Sequence, residues 1–425
     1  MDALIGPEPS PCEDEERDGW FLTARHRRLR EDVREFAERE VAPLIPEMES
    51  SRRVHAELSR RIAARGWLGV TIGCEYGGMG AGHLAKTLVI EELARVSGAM
   101  GAMVQASQLG AAKIIHFGSK SQKRRWLPRI AEGSCLPTIA VTEHGSGGHV
   151  AGMEASAVRD GDAYVLTGRK VYIGNSHVGT LHGVVARTGP GSQGLTAFLV
   201  EADRPGCRVE PQREALGLHG FSFGELVLEG CRVPVKNRIG NEGAGLRVAY
   251  ASSTLYGRPN LTAVSLGIHQ AIADEVGVFV KERVRYGKPL HELAVVRARV
   301  GRITSRLMTA RLLAYHAAAL LDRGLECDAE LMNAKLVNTE AAVDSAREAM
   351  EIHASVGLFT DRPVERYLRD SMLMFAPAGT SDVQVLRLAE SALGLGRAPW
   401  SGQLAGDGLG ASAVQEDTRV PAVIG

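Results

Sequence analysis

Three short stretches of this chain carry residues whose types and spacing could do chemistry. In MFAPAGTSDVQ, residues 374–384, Gly379, Thr380 and Ser381 read as a turn that delivers the chain into an apolar-periodic helix, VLRLAESAL. Such a helix start presents free N–H groups and the positive end of the dipole, which suits an anion. VTEHGSGG, residues 141–148, reads as a strand that ends in a glycine turn, and RVRYGKPL, residues 283–290, sets Arg283 at a polar helix end. Metal and disulfide chemistry have no such footing. The six cysteines, Cys12, Cys74, Cys135, Cys207, Cys231 and Cys327, form no CxxC or Cys/His cluster, and they read as small buried thiols in a reducing compartment.

The elements that must position these stretches follow from periodicity. Residues 1–22 are rich in Pro, Glu and Asp and read as a disordered lead-in. Residues 23–134 repeat apolar positions every three or four residues, as in LREDVREFAEREVAPLI and AKTLVIEELARV, with the glycine-dense loop LGVTIGCEYGGMGAGH between them, so a helical domain is expected. From residue 135 to 241 the period becomes two. Short β-branched runs separated by Gly, Asp and Pro describe an antiparallel sheet or small barrel, with Asp160, Gly161 and Asp162 as a hairpin signal. The helical period returns over 242–395. Val296, Val300, Ile303 and Leu307 form one stripe, and alanine-rich faces suit close packing in a four-helix bundle. Residues 396–425, rich in Gly, Ala and polar types, read as a flexible tail. The fold class is therefore α+β.

At 425 residues the chain can bury a large core divided among two or three subdomains. Fifty basic residues against fifty acidic ones leave no net charge to attract nucleic acid or an anionic membrane, and 44% hydrophobic content is ordinary for a globular protein. No apolar run in the sequence approaches the ~20 residues of a membrane span, and the acidic start lacks the marks of a signal peptide, so a cytoplasmic location is expected.

Taken in order, the motifs resemble the acyl-CoA dehydrogenase family. VTEHGSGG resembles its T-E-P-x-A-G-S stretch, LTGRKVYIGN (166–175) its G-x-K-x-W-I-T-N strand, RVRYGKPL its R-x-x-F-G-x-P-L, and PVERYLRD followed by AGTSDVQ its closing V-E-R-x-x-R-D and E-G-T-S segment. The resemblance covers roughly residues 27–395. It implies an FAD between the β unit and the bundle, completed by a neighbouring copy in a homodimer or homotetramer. It also implies a small-molecule or carrier-bound acyl thioester as substrate, whose electron acceptor the sequence does not name. Hydride would pass from the β-carbon to the flavin while a glutamate takes the α-proton.

Carried over by position, the resemblance puts Val141, Thr142, Gly147, Gly148, Tyr172 and Gly174 at the flavin. Tyr172 replaces the family's tryptophan, and Gly174 replaces a threonine whose hydroxyl reaches the ring. It puts Arg283, Tyr286, Glu351, Ser355, Thr380 and Asp382 around the cofactor's phosphates and adenine. There Ala294 and Asp382 stand for glutamines, and Glu351, Ala354 and Ser355 replace a Gln and two Gly, so two carboxylates would need Arg283 or Arg285 to screen them. Arg258, Tyr256, Gln105 and Gly379 fall to the substrate, a surface glutamine being the plain alternative for Gln105. The family's glutamate occupies the position of Ala378 in most members and that of Gly257, directly before an arginine, in others. Neither place holds a carboxylate here. Tyr256, His144 and His353 are the polar groups nearest these motifs, with a structural role as the plain alternative for each. Three activities stay open at this point: an acyl-thioester oxidoreductase with a non-standard base, a flavin-dependent monooxygenase that hydroxylates amines, and a non-catalytic homologue.

Overall fold

The computed structural model describes residues 21–396 and 399–405; most of the expected lead-in, residues 1–20, and of the expected tail, residues 397–398 and 406–425, lies outside the described residues. The N-terminal helices are α1 (Ala24–Phe36), α2 (Ile45–Ser51), α3 (Ala56–Ala64), α4 (Gly82–Val96), α5 (Gly98–Phe117) and α6 (Lys120–Ala131). Capping boxes open two of them: Thr23 with His26 starts α1 and Ser119 with Gln122 starts α6, each satisfying otherwise orphaned N–H groups. α4 is buried along nearly its whole length, as its apolar sequence requires, and lies against α5 and the long bundle helix that follows the β domain.

Strands β1 (Pro137–Ala140), β2 (Ser156–Asp160), β3 (Ala163–Gly174), β4 (Leu181–Arg187), β5 (Leu195–Glu201), β6 (Cys207–Val209), β7 (Phe223–Pro234) and β8 (Arg238–Ile239) form one sheet in the order β6-β7-β3-β2-β4-β5-β8. The hairpin read at Asp160–Asp162 joins β2 to β3, with Gly161 at φ +61°. The sheet is mixed, which corrects the purely antiparallel expectation. β1 runs parallel to β4, because two strands and a loop intervene and return the chain in the same sense. Near the end of β3 the register against β7 shifts between Lys170 and Ile173; the bulge throws Tyr172 into a left-handed conformation, φ +58°.

The bundle consists of α7 (Gly245–Ser252), α8 (Arg258–Glu282), α9 (Ala294–Asp322), α10 (Asp328–His353), α11 (Val364–Ser371) and α12 (Ser381–Ala392). A hairpin of β9 (Val284–Arg285) and β10 (Lys288–Pro289) joins α8 to α9. Val296, Ile303 and Leu307 of the expected stripe are buried. A π-turn, Ser253–Gly257, links α7 to α8 and makes Gly245–Glu282 one helical run of 38 residues. By length and composition that run could cross a membrane, which the sequence reading did not anticipate, but 67% of its apolar window is buried inside the protein and serves the core.

Two expectations about side chains and tail are revised. Cys135, Cys231 and Cys327 are buried free thiols, whereas Cys74 is exposed and Cys207 half-buried. Residues 400–405 form a further helix, α13 (Trp400–Ala405), where a flexible tail was expected. The Asp328 carboxylate accepts from the Trp400 and Ser401 amides at 2.9 Å each, capping the helix, and the Trp400 ring stacks on Tyr250. Composition alone could not show that anchor.

Candidate functional site

The first wall of the site is where β1 runs out and β3 bulges. Val141 and Thr142 follow β1, and the Val171 amide donates to the Thr142 carbonyl at 2.8 Å. Lys170 fixes this wall from behind. Its Nζ, fully buried, donates to the Val141 carbonyl at 3.0 Å and to Glu143 Oε1 at 2.7 Å. Burial lowers the Lys170 pKa, and the Glu143 carboxylate opposes that shift. Glu143 in turn accepts from the Glu154 and Ala155 amides, so one carboxylate ties the loop after β1 to the start of β2. In front of this frame Tyr172 stands 68% exposed, its ring free to cover a ligand.

Gly147 and Gly148 lie in the same loop, and a β-carbon added at either would meet nothing within 4 Å. Gly174 differs: a β-carbon there would lie 2.9 Å from the Phe221 ring and 3.0 Å from Ala106. Phe221, which packs edge-on against Phe223, thus occupies the space a side chain at 174 would need. Beside it, Asn175 at φ +61° sends Nδ2 to the Met103 carbonyl and to Ser107, while its buried Oδ1 has no partner among the described residues. The open glycine loop and the exposed ring leave room for a flat group such as a flavin.

The second wall is the turn before α12. Thr380 is its extended N-cap residue, φ −63° and ψ 168°, so the helix start read from the sequence is present. Ala378 and Gly379 both have positive φ, +56° and +97°. At Gly379 glycine is required, since a β-carbon would also lie 2.8 Å from Gln384 Nε2. That Nε2 donates to the Ala378 and Gly379 carbonyls at 3.0 Å each, and Gln384 Oε1 accepts from Arg258 Nε at 3.1 Å. Arg258 also donates to Thr254 Oγ1 at 2.7 Å. Burial lowers the pKa of this guanidinium, and no carboxylate salt-bridges it among the described residues.

Gly257 sits on the π-turn directly opposite. A β-carbon built on Gly257 falls 3.3 Å from the Ala378 β-carbon. The two sequence positions at which the resemblance puts a glutamate thus address one point in space from two different elements. In this chain that point is lined by the Ala378 methyl and the Ser253 hydroxyl, 3.1 Å from the β-carbon built on Gly257, and neither residue at 257 or 378 is a carboxylate.

The other candidate residues are placed less directly. Tyr256 is buried, its hydroxyl on Thr71 at 3.1 Å and its ring among His83, His116 and the Lys86 ammonium. Its hydroxyl is therefore engaged within the protein. Gln105 is buried in α5 rather than a surface residue, and its carbonyl accepts from Asn260 at 3.2 Å. His353 is buried, stacked on Phe279 with its Nδ1 on the Ala349 carbonyl, and the exposed His144 lies 3.7 Å from Glu225.

Arg283, Tyr286, Glu351 and Ser355 form a third group, on the bundle. Tyr286 is 89% exposed on the β9–β10 hairpin, and no hydrogen bond or ion pair joins these residues to segment 141–174 among the described residues. Glu351 is paired with Arg299 at 3.5 Å, so its screening comes from α9 and not from Arg283 or Arg285 as expected. Asp382 lies in the first turn of α12, where an acidic residue suits the helix dipole. Sequence reasoning missed Lys170 and Gln384. Both stood inside motifs already quoted, but their neighbours Arg169 and Val385 are exposed, so nothing local marked either side chain as buried.

Three family models match in sequence: the N-terminal domain of acyl-CoA dehydrogenase at residues 23–134, its middle domain at 138–231 and its C-terminal domain at 243–393. The chain belongs to the acyl-CoA dehydrogenase family, flavoprotein oxidoreductases that act on CH–CH donors. Among its relatives, an acyl-CoA dehydrogenase of Bacillus subtilis is 33% identical over 369 residues, 86% of this chain and 97% of that protein. Of solved structures, butyryl-CoA dehydrogenase from Megasphaera elsdenii superimposes with a TM-score of 0.86 at 28% identity, covering 88% of this chain and 99% of that one. The FAD complex of PigA does so with a TM-score of 0.83 at 26% identity, covering 88% and 98%.

Proposed function

We propose that this protein is an FAD-dependent oxidoreductase of an acyl thioester, borne by coenzyme A or a carrier protein, that works without a glutamate at either customary position. The carrying observation is that a β-carbon built on Gly257 would lie 3.3 Å from that of Ala378, so the two positions address one point and neither residue there is a carboxylate. FAD would be held by Val141, Thr142, Tyr172 and the Gly147–Gly148 backbone on one side and by the turn at Thr380 on the other. When bound, the flavin supplies a two-electron acceptor or donor at the thioester's β-carbon.

This chain's own residues do the rest. Lys170 and Glu143 hold the ring-side strand end, Arg258 and Gln384 hold the turn, and Phe221 with Ala106 closes the space beside Gly174. No carboxylate at 378 or 257 takes the α-proton, so the reaction draws on an acidic α-hydrogen in the substrate or a base from elsewhere. Arg283, Tyr286, Glu351 and Ser355 serve the cofactor of a neighbouring copy in a homodimer or homotetramer. Exposed Val295, Met308 and Leu312 on α9, with Leu358 and Phe359, offer apolar surface for that assembly.

The test is anaerobic titration of the purified, FAD-loaded protein with a panel of acyl thioesters. Bleaching of the flavin band supports the proposal. Oxygen uptake that needs an external flavin reductase, with no bleaching, would point to hydroxylation instead, and failure to take up FAD would leave a non-catalytic homologue.

A further inference from the structure

Lys335 is an internal lysine on α10 with no exposed surface. Its Nζ donates to the Phe375 carbonyl at 2.7 Å and to the Gly379 carbonyl at 2.5 Å, and no carboxylate pairs with it among the described residues. An ammonium buried among apolar neighbours is costly, and a methionine would pack the same space without that cost. The two carbonyls it holds bracket Ala378. From the other side Gln384 holds the Ala378 and Gly379 carbonyls and is itself held by Arg258. Four hydrogen bonds from two side chains thus converge on three carbonyls of one five-residue turn. Consecutive positive-φ residues at 378 and 379 are unfavourable for a free chain, alanine more so than glycine, and need such external bonds to persist. Burial, with the nearby Arg258 charge, lowers the Lys335 pKa to about 7.

We infer that Lys335 is a positioning residue: through the Phe375 and Gly379 carbonyls it fixes the left-handed turn that presents position 378 to the thioester, with Gln384 as the opposing half of the clamp. The inference rests on reading that turn as part of the thioester site. Two measurements on the FAD-loaded protein separate the clamp from that reading. Hydrogen–deuterium exchange of the peptide spanning 374–384 should quicken about tenfold in Lys335→Met, the loss of roughly one charge-assisted bond's protection, while peptides covering 141–175 stay unchanged. Titration with acetoacetyl-CoA, a thioester that is not oxidised, reports alignment through the shift of the flavin band. That shift should fall about tenfold in Lys335→Met with FAD retained, and return toward the wild-type value in Lys335→Arg, which keeps the charge and the donors.

Unchanged exchange at 374–384 in a folded Lys335→Met protein would overturn the clamp. So would a uniform loss of protection and FAD together that Lys335→Arg does not repair, since that is the mark of a residue needed only for folding. Should Lys335→Met fail to fold, Gln384→Leu, which removes the opposing donors, must show the same local quickening or the inference fails. A wild-type protein whose flavin ignores the thioester, but whose turn loosens in Lys335→Met, would leave the clamp standing and remove the proposed function.

Discussion

Restoring a carboxylate at position 378 is the most direct challenge to the proposed chemistry. Ala378→Glu keeps a β-carbon where one already exists, so the left-handed backbone at φ +56° gains no new strain. A positioned general base is worth typically 10²- to 10⁴-fold, about 3 to 5 kcal/mol in the barrier. If the remaining geometry is intact, the rate of anaerobic flavin reduction by straight-chain acyl-CoA should rise by that factor, measured by stopped-flow absorbance. Gly257→Glu should gain less. Its β-carbon must fit 3.1 Å from Ser253 Oγ and 3.3 Å from the Ala378 methyl, tighter than ordinary contact. The double variant gives the sharper result. Two carboxylates reaching for one point repel, one stays protonated, and the combined gain should fall well short of the product of the single gains. The reasoning is refuted if both single variants fold and bind FAD yet reduce it no faster than the wild type.

Three further outcomes are expected. Lys170→Met leaves Glu143 without its buried partner and should cost about 3–5 kcal/mol, read as a lowered Tm with faster FAD release. Arg302 and Arg299 hold the Glu348 carboxyl down at about 2. Its native pKa lies below the unfolded value, so the unfolded chain takes up the proton first. Stability from this cluster is therefore full above about pH 4.5 and lost as pH falls toward 2, and Glu348→Gln should flatten that acid limb in urea titrations. Trp400→Ala should lower stability by about 1–3 kcal/mol and expose Tyr250, which differential scanning calorimetry and tyrosine fluorescence would record.

How much of this was legible in the sequence depends on what kind of information each feature carries. The change of period at residue 135 and its return near 242 fall close to the start of β1 at Pro137 and of α7 at Gly245. A hairpin glycine and a helix start are local events, and Gly161 and Thr380 are where local chemistry puts them. Contacts between distant segments were not legible. Lys335 and Lys170 look like ordinary surface lysines until the fold brings the 375–379 turn and the Val141 carbonyl to them. The docking of Trp400 on Tyr250 was hidden for the same reason, because a composition rich in glycine says nothing about a partner at Asp328.

The meeting of Gly257 and Ala378 shows why the base could be missed at two positions without being missed twice. A π-turn and a left-handed turn, on elements far apart in the chain, bring two β-carbon positions within 3.3 Å, so one carboxylate from either would fill the same place. Loss at one position is tolerable when the other is occupied. With no carboxylate at either, what remains is the Ser253 hydroxyl with a buried Arg258 and a buried Lys335, neither in a salt bridge among the described residues. If those cations reach the substrate, they should favour one whose α-carbon develops negative charge over a neutral alkyl chain. Thioesters with an acidified α-hydrogen should therefore reduce or perturb the flavin at lower concentration than saturated straight-chain analogues of equal length. Equal response to the two would mean that the cations serve the turn alone and that proton removal is not the step the missing carboxylate has altered.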